Sequence, residues 1–314
     1  MRDEQIIPSF PDGKDFTDFK NRHPAVLRAL DEMAVGFTGL MGLIKEQKLS
    51  EVNTILFLLF GASWREFEEI LVLAMNGYGS GAMKLLRALY ERTVTTQYLM
   101  KSPNKVRQFS DFSHVHWHKL LTDADQTGVA AELSKQRRDE IEANFAKVKD
   151  EFTEIACKPC KKTRLQGSWT KKPVPTQARE IHEQLGQICF QGYLMPTFFL
   201  HTTLWGITQQ MKEHPNGTVE LHNVSVESHY ASRAIIFGAT LMTHLADATS
   251  RFFSLGDAER KAIEHAVGII TQELIGPVGA EMTASGAITS STSIAGTHLA
   301  FHLFPGQPRS RVFQ

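Results

Sequence analysis

Between His23 and Leu49 the apolar residues Val26, Leu27, Leu30, Met33, Phe37, Leu40, Met41 and Ile44 return every three or four positions, with polar residues between them. That period lines one face of a helix, so the spacing predicts an amphipathic helix here. Ser50 and Glu51 open a second run, in which Trp64, Phe67, Ile70, Leu71 and Ala74 share a face as far as Asn76 and Gly77. A third runs from Ser80 to Lys101 and stops at Ser102-Pro103, and residues 104–124 repeat the pattern. Over 129–156, Lys135, Arg137, Arg138, Asp139 and Glu140 take one side and Ile141, Phe145, Val148 and Phe152 the other, as on a helix. Further on, 176–185 reads as a short helix and 188–211 as a longer one bent at Pro196. HPNGT at 214–218 is a turn, and 227–253 and 257–272 are two more helices, the last capped by Asp257.

No strand pattern of any length appears before residue 277. The chain is therefore expected to be all-α, an antiparallel bundle whose one long loop is 157–175. Its parts are an N-terminal extension (1–22), a single helical domain (23–272) whose halves are joined by that loop, and a tail rich in small residues (273–314).

In ILVLAMNGYGSGAMKLLRALYE, residues 70–91, Gly77, Gly79 and Ala82 have the GxGxxA spacing of a dinucleotide-binding turn. Such a turn needs a strand before it and a second strand with an acidic end about twenty residues later. Helical periodicity continues on both sides instead, so the glycines are expected to end one helix and lead into the next, with Ser80 as its cap.

Lys plus Arg and Asp plus Glu are equal, 34 of each, so net charge draws the chain to neither nucleic acid nor anionic membrane, and any basic surface must be local. The segment CKPCKKTRLQGSWTKKPVP offers one, with Lys161, Lys162, Lys171 and Lys172 around Trp169 and no acid among them. Three cysteines and an N-terminus without an apolar leader suggest a reducing, cytoplasmic setting. The apolar stretch 186–211 contains four Gln, a Pro and a His, so it reads as a buried helix and no membrane association is expected.

The phosphate-loop, HExxH and GxSxG signatures are absent, and no cofactor is expected. Cys157 and Cys160 have the spacing of half a zinc knuckle, with Cys189 and His182 as remote candidates; a single CxxC equally suits a plain loop with two reduced thiols. His114, His116 and His118 would need a strand to share a metal, whereas a helix turns His116 away from the other two. No metal site is expected.

More telling are polar residues where apolar ones belong. Arg87 and Glu91 stand one turn apart in KLLRALYERTVTTQYL, a spacing suited to an internal ion pair. His201 lies amid Phe198, Phe199, Leu200, Leu204 and Trp205, which predicts a buried, hydrogen-bonded imidazole. Two accounts follow: a structural ion pair with a core histidine, or a cleft in which Arg binds an anion and His moves a proton.

In order and spacing, GY followed by LLRALYE, Trp169 in GSWT, the short helix ending at Gly186 and the segment from Tyr193 to His201 resemble a large family of bacterial helical domains of unknown function. Its pattern, over about residues 25–255, sets Arg and Glu on one helix (Arg87, Glu91), Trp before a short helix (Trp169), and Tyr before a Ser-x-x-x-His-like element. Here that element is Tyr193, Thr197 and His201, with Thr in place of Ser. The layout is similar to that of HEPN-type helical domains, the ribonuclease and nucleotide-binding modules of toxin and phage-defence loci. The resemblance suggests a metal-independent ribonuclease or nucleotide-binding domain. His201 would be its general acid or base, Arg87 would hold the phosphate and Glu91 would orient Arg87. Tyr193, Trp169, Lys161, Lys162, Lys171 and Lys172 would contact RNA or nucleotide. The competing reading is a non-enzymatic interaction or sensor module, homo-oligomeric, in which Arg87, Glu91 and His201 fix packing.

Overall fold

The computed structural model describes residues 13–128, 133–157, 159–201, 203–208, 211–213, 216–221 and 229–284, with side chains for all of these except 205, 211–213, 219–221 and 276–284. The helices are α1 (Lys14–Arg22), α2 (Pro24–Lys45), α3 (Glu51–Met75), α4 (Gly79–Lys101), α5 (Val106–Thr127) and α6 (Lys135–Val148). After a hairpin come α7 (Val174–Ile181), α8 (Glu183–Gln187), a π-helical turn (Phe190–Leu194), α9 (Met195–Leu200), α10 (Leu204–Thr208), α11 (His229–Phe252) and α12 (Ala258–Ala284). The fold is all-α, with helices packed on helices.

Local chemistry sets the long elements. Ser50 caps α3, its hydroxyl accepting from the Asn53 N–H at 3.2 Å. At the other end Gly77 takes a left-handed φ of 85°, the Tyr78 N–H reaches Leu73 O at 2.8 Å, and the Gly77 N–H reaches Ala74 O at 3.1 Å. These two bonds satisfy carbonyls that the end of α3 leaves open, and only glycine takes that backbone without strain. The glycine motif is thus a helix C-cap and turn. Ser80 is not the cap: α4 begins at Gly79, with Tyr78 in the capping position and no side-chain cap bond.

α2 lies on α12, α12 on α11, and α11 against both α3 and α4. Phe37 of α2 stacks on Phe60 and Trp64 of α3, with ring centroids 5.2 and 4.6 Å apart. Where α11 crosses α3, a Cβ on Gly238 would come within 2.8 Å of the Phe67 ring, so the helices approach this closely only because residue 238 has no side chain. Burying side chains such as Phe37, Phe60, Phe67 and Ile70 contributes about 1.5–3 kcal/mol each before entropy is counted.

Several sequence expectations change. Part of the extension 1–22 is helical, since α1 packs its Phe19 into the core. The helix expected over 129–156 is shorter, running from Lys135 to Val148. Thr153–Cys157 then pairs antiparallel with Lys162–Leu165, so strands lie where none was expected. β-branched Thr153, Ile155 and Thr163 suit this hairpin, Glu154 and Arg164 pair across it at 2.8 Å, and Pro159 in its turn bars a helix. A second small hairpin pairs Met211–Glu213 with Val219–Leu221 around the expected turn at 214–218, whose residues 214 and 215 lie outside the described residues.

The helix expected over 188–211 is broken into the π-turn, α9 and α10. Pro196 starts α9, and Thr203 caps α10, its hydroxyl accepting from the Gly206 N–H at 3.0 Å. The helix expected over 176–185 splits at His182, whose extended backbone and Nδ1, 3.2 Å from the Gln184 N–H, start α8. α12 continues to Ala284, past the expected start of the tail, and 285–314 lies outside the described residues.

The segment 174–200 positions the candidate site by running along α4 in the opposite direction. Lys101 Nζ donates to Glu180 O, and the buried Tyr90 hydroxyl donates to Leu185 O at 2.7 Å. Gly192 lies against the Tyr90 ring, and Tyr193 and Thr197 meet Arg87.

Candidate functional site

Arg87 and Glu91 occupy successive turns of α4, and the Arg87 Nε donates to Glu91 Oε1 at 3.3 Å. Its Nη1 donates to the Thr197 hydroxyl at 3.0 Å and its Nη2 to the Tyr193 hydroxyl at 3.4 Å. The guanidinium carbon sits 4.7 Å above the centre of the Tyr193 ring, a cation–π contact. Thr197 in turn donates to Tyr193 O at 2.8 Å, so its hydroxyl is used both ways. Residues separated by 106 and 110 positions therefore converge on one guanidinium.

Burial raises the Tyr193 phenol pKa; the neighbouring Glu91 carboxylate raises it further and Arg87 opposes both. The phenol thus stays protonated and can donate to Glu91 while accepting from Arg87. A guanidinium has five N–H donors, and three are taken here, which leaves one hydrogen on each terminal nitrogen without a partner among the described residues. The Arg87 side chain is 18% exposed and that of Glu91 is 42% exposed, so the pair is reached from solvent at its Glu91 side.

One turn on, Arg92 carries the charge chain inward. Its Nε lies 3.1 Å from Oε2 of Glu66 on α3, a contact held by charge and not by a well-aligned hydrogen bond. Burial raises the Glu66 carboxyl pKa, Arg92 opposes that, and Glu69 and Glu91 add to it. The sequence reading missed Glu66 because it sits in REFEEI, which reads as a solvated acidic run until α4 covers it. Arg92 was the available signal, a second arginine on a largely apolar helix.

The other expected site residues lie elsewhere. His201 is exposed and not buried: α9 ends at Leu200, and residue 201 turns to extended backbone with its N–H on Thr197 O at 3.0 Å. The buried place in this segment belongs to Phe199, whose ring meets Tyr230 edge-on at 4.7 Å. Among the described residues no hydrogen bond joins the His201 ring to Arg87 or Glu91, although His201 follows Thr197 by four positions.

Trp169 is buried, with Tyr98 and Phe109 set edge-on at 5.9 and 5.5 Å, so its indole is core and does not offer a face to a base. Lys172 is exposed but bound to both Glu180 oxygens at 2.9 and 2.7 Å, the main cause of its raised pKa. Lys161, Lys162 and Lys171 are exposed, Lys161 with a left-handed φ of 54° in the hairpin turn and Lys162 at the start of its second strand. Tyr98, against which Trp169 packs, is eleven residues beyond Arg87 on α4, about 16 Å along the axis and on nearly the same face.

Among the described residues no group of three or more His, Cys, Asp and Glu could hold a metal ion. His118 stacks on Phe145 with its Nδ1 3.1 Å from Glu142, and His116 meets Phe112 edge-on. The Cys189 sulfur is buried beside Tyr90, in a different part of the fold from the hairpin that carries Cys157 and Cys160. His182 lies beside His244 of α11 with ring centroids 5.8 Å apart. Burial, with help from His182, pushes the His244 pKa down to about 4, so this imidazole is neutral near pH 7. A groove between α3 and α4, lined by Arg65, Glu69, Val72, Leu73 and Leu85, holds none of the expected residues.

These features define an all-α fold, carrying two small hairpins, in which a polar cluster joins α4 to the 190–200 segment. The chain belongs to the family of unknown function DUF5677, whose model matches residues 53–218 and so spans α3 through that segment. No curated protein and no solved structure matches it. Among the described residues no helix is long and apolar enough to cross a membrane.

Proposed function

We propose that the Arg87 cluster is the phosphate-binding part of a metal-independent ribonuclease or nucleotide-binding domain of the toxin or phage-defence type. The observation that supports this most is the convergence of Glu91, Tyr193 and Thr197 on Arg87, which fixes the guanidinium while leaving two of its N–H groups unused among the described residues; a guanidinium held in this way suits an anionic oxygen ligand. Glu91 orients Arg87. His201, exposed one turn beyond Thr197, is the general acid or base, its ring in solvent and not in the core. Lys161, Lys162 and Lys171 attract the backbone of a strand, and Lys172, held by Glu180, adds less. The HEPN-type layout that the sequence resemblance implies points to the same reading by analogy only.

Fluorescence anisotropy with labelled single-stranded RNA across a salt series tests the binding half. Each of Lys161, Lys162 and Lys171 changed to Ala is expected to reduce the slope of log K against log salt by about 0.7, and Lys172→Ala by less. Binding that does not depend on salt, or no binding at all, would overturn it.

A second reading is favoured by the 190–207 segment itself. Phe190, Leu194, Phe198, Leu200, Leu204 and Ile207 are between 41% and 78% exposed. Two aromatic and four aliphatic side chains at these exposures present roughly 500 Å² of apolar surface in all. One side of a standard interface buries about 800 Å², so the patch suffices as its apolar centre, and a net charge of zero puts no repulsion between two copies. In this reading the partner is a second copy of the chain, and the module is an interaction or sensor domain.

A further inference from the structure

We infer that Cys157 and Cys160 form a reversible dithiol–disulfide site at the tip of the first hairpin, with hydroperoxides as the oxidant class. The register Ile155↔Thr163 and Cys157↔Lys162 contains an irregularity that sets Cys157 at the mouth of the turn, with Cys160 inside that turn. The hairpin turn brings the two cysteines, three positions apart, to the same end of the strand pair, with Cys160 exposed and Cys157 half-buried. This division of access suits an attacking thiol and a resolving one.

The contact with Cys157 and then the Lys162 backbone N–H hold the Cys160 thiol below its usual range. Burial moves the Cys189 thiol the other way, and it therefore serves as an internal control. Lys161, locked in a left-handed conformation beside Cys160, keeps the loop tight.

The chemistry is a two-electron exchange. The Cys160 thiolate attacks the outer oxygen of a hydroperoxide, the O–O bond breaks, and the departing oxygen takes up a proton, leaving a sulfenic acid on Cys160. The Cys157 sulfur then displaces that oxygen as water, giving up its own proton, so that an S–S bond forms as the S–O bond breaks. Two thiols are oxidised and one hydroperoxide is reduced to water and an alcohol, or to two waters for hydrogen peroxide. A dithiol reductant reverses the reaction. The site stands whether or not the α4 cluster handles RNA.

The test treats the full chain with stoichiometric hydrogen peroxide, then counts free thiols under denaturing conditions and measures the intact mass. The expected result is loss of two of the three thiols, a mass decrease of two hydrogens, a cross-linked peptide joining residues 157 and 160, and full recovery with dithiothreitol. Cys160→Ser should abolish the reaction, and Cys157→Ser should leave one added oxygen on Cys160. Reaction first at Cys189, retention of all three thiols, or a disulfide only between chains would overturn the inference.

Discussion

Arg87 is held by three side chains, and each holds it through a different chemistry: charge at Glu91, a hydroxyl at Thr197, and a hydroxyl and ring at Tyr193. Lysine keeps the charge but not the planar fork, so Arg87→Lys should lose the Thr197 and Tyr193 bonds together and cost about 1–2 kcal/mol in urea unfolding. A change smaller than that would mean the cluster does not fix the side chain.

His244 sets a pH dependence of the opposite origin. Its pKa is near 4 in the fold against 6.5 in an open chain, so between those values the unfolded chain binds a proton that the folded one refuses. Stability from this group is complete above pH 6.5 and is lost as the pH falls toward 4. Glu66, whose pKa is raised, works the other way, since its stability contribution falls as pH rises above 4.5. Comparing urea midpoints at neutral and mildly acidic pH for wild type and His244→Gln separates the two. The wild-type loss on acidification should be markedly smaller in the variant, and equal losses would contradict the assignment. The sequence marked Arg87 and Glu91 as polar residues on a largely apolar helix, whereas Tyr193 and Thr197 were marked only by the family resemblance. It misplaced His201 because a histidine among aromatics looks buried until the helix carrying it is known to stop one residue earlier.

At the scale of elements, helix lengths were legible where apolar residues recur over many turns, as in α2, α3, α4 and α11. Short elements were not. The hairpin at 153–165 has only a few residues per strand and a charge-rich preceding helix, so its alternation was lost in a longer helical pattern. The breaks within 188–211 depend on Thr203 capping and on Gly192 meeting Tyr90, contacts that no local pattern encodes.

The close crossing of α3 and α11 makes a sharp prediction. Gly238→Ala should destabilise by about 1–3 kcal/mol, because the new methyl meets the Phe67 ring at 2.8 Å. Gly42→Ala, on an exposed face of α2 with nothing within 4 Å of a Cβ, should stabilise by about 0.5–1 kcal/mol. Thermal unfolding of the two variants reads both signs, and a stable Gly238→Ala would mean the helices do not pack this closely.

For the whole molecule, the apolar patch along the 190–207 segment predicts a homodimer by light scattering at micromolar concentration, and Leu194→Glu with Leu204→Glu should yield a folded monomer. A wild-type monomer at high micromolar concentration would leave the patch without its proposed partner. The central claim concerns the α4 cluster, and it is tested most directly by incubating single-stranded RNA with the purified protein in excess chelator, beside Arg87→Ala and His201→Ala. The account predicts cleavage by the wild type, a loss of about 100-fold or more in each variant, and an unchanged melting temperature for His201→Ala, as its exposed position requires. Full activity in His201→Ala would contradict the role of that residue, and no cleavage by the wild type would contradict the ribonuclease reading.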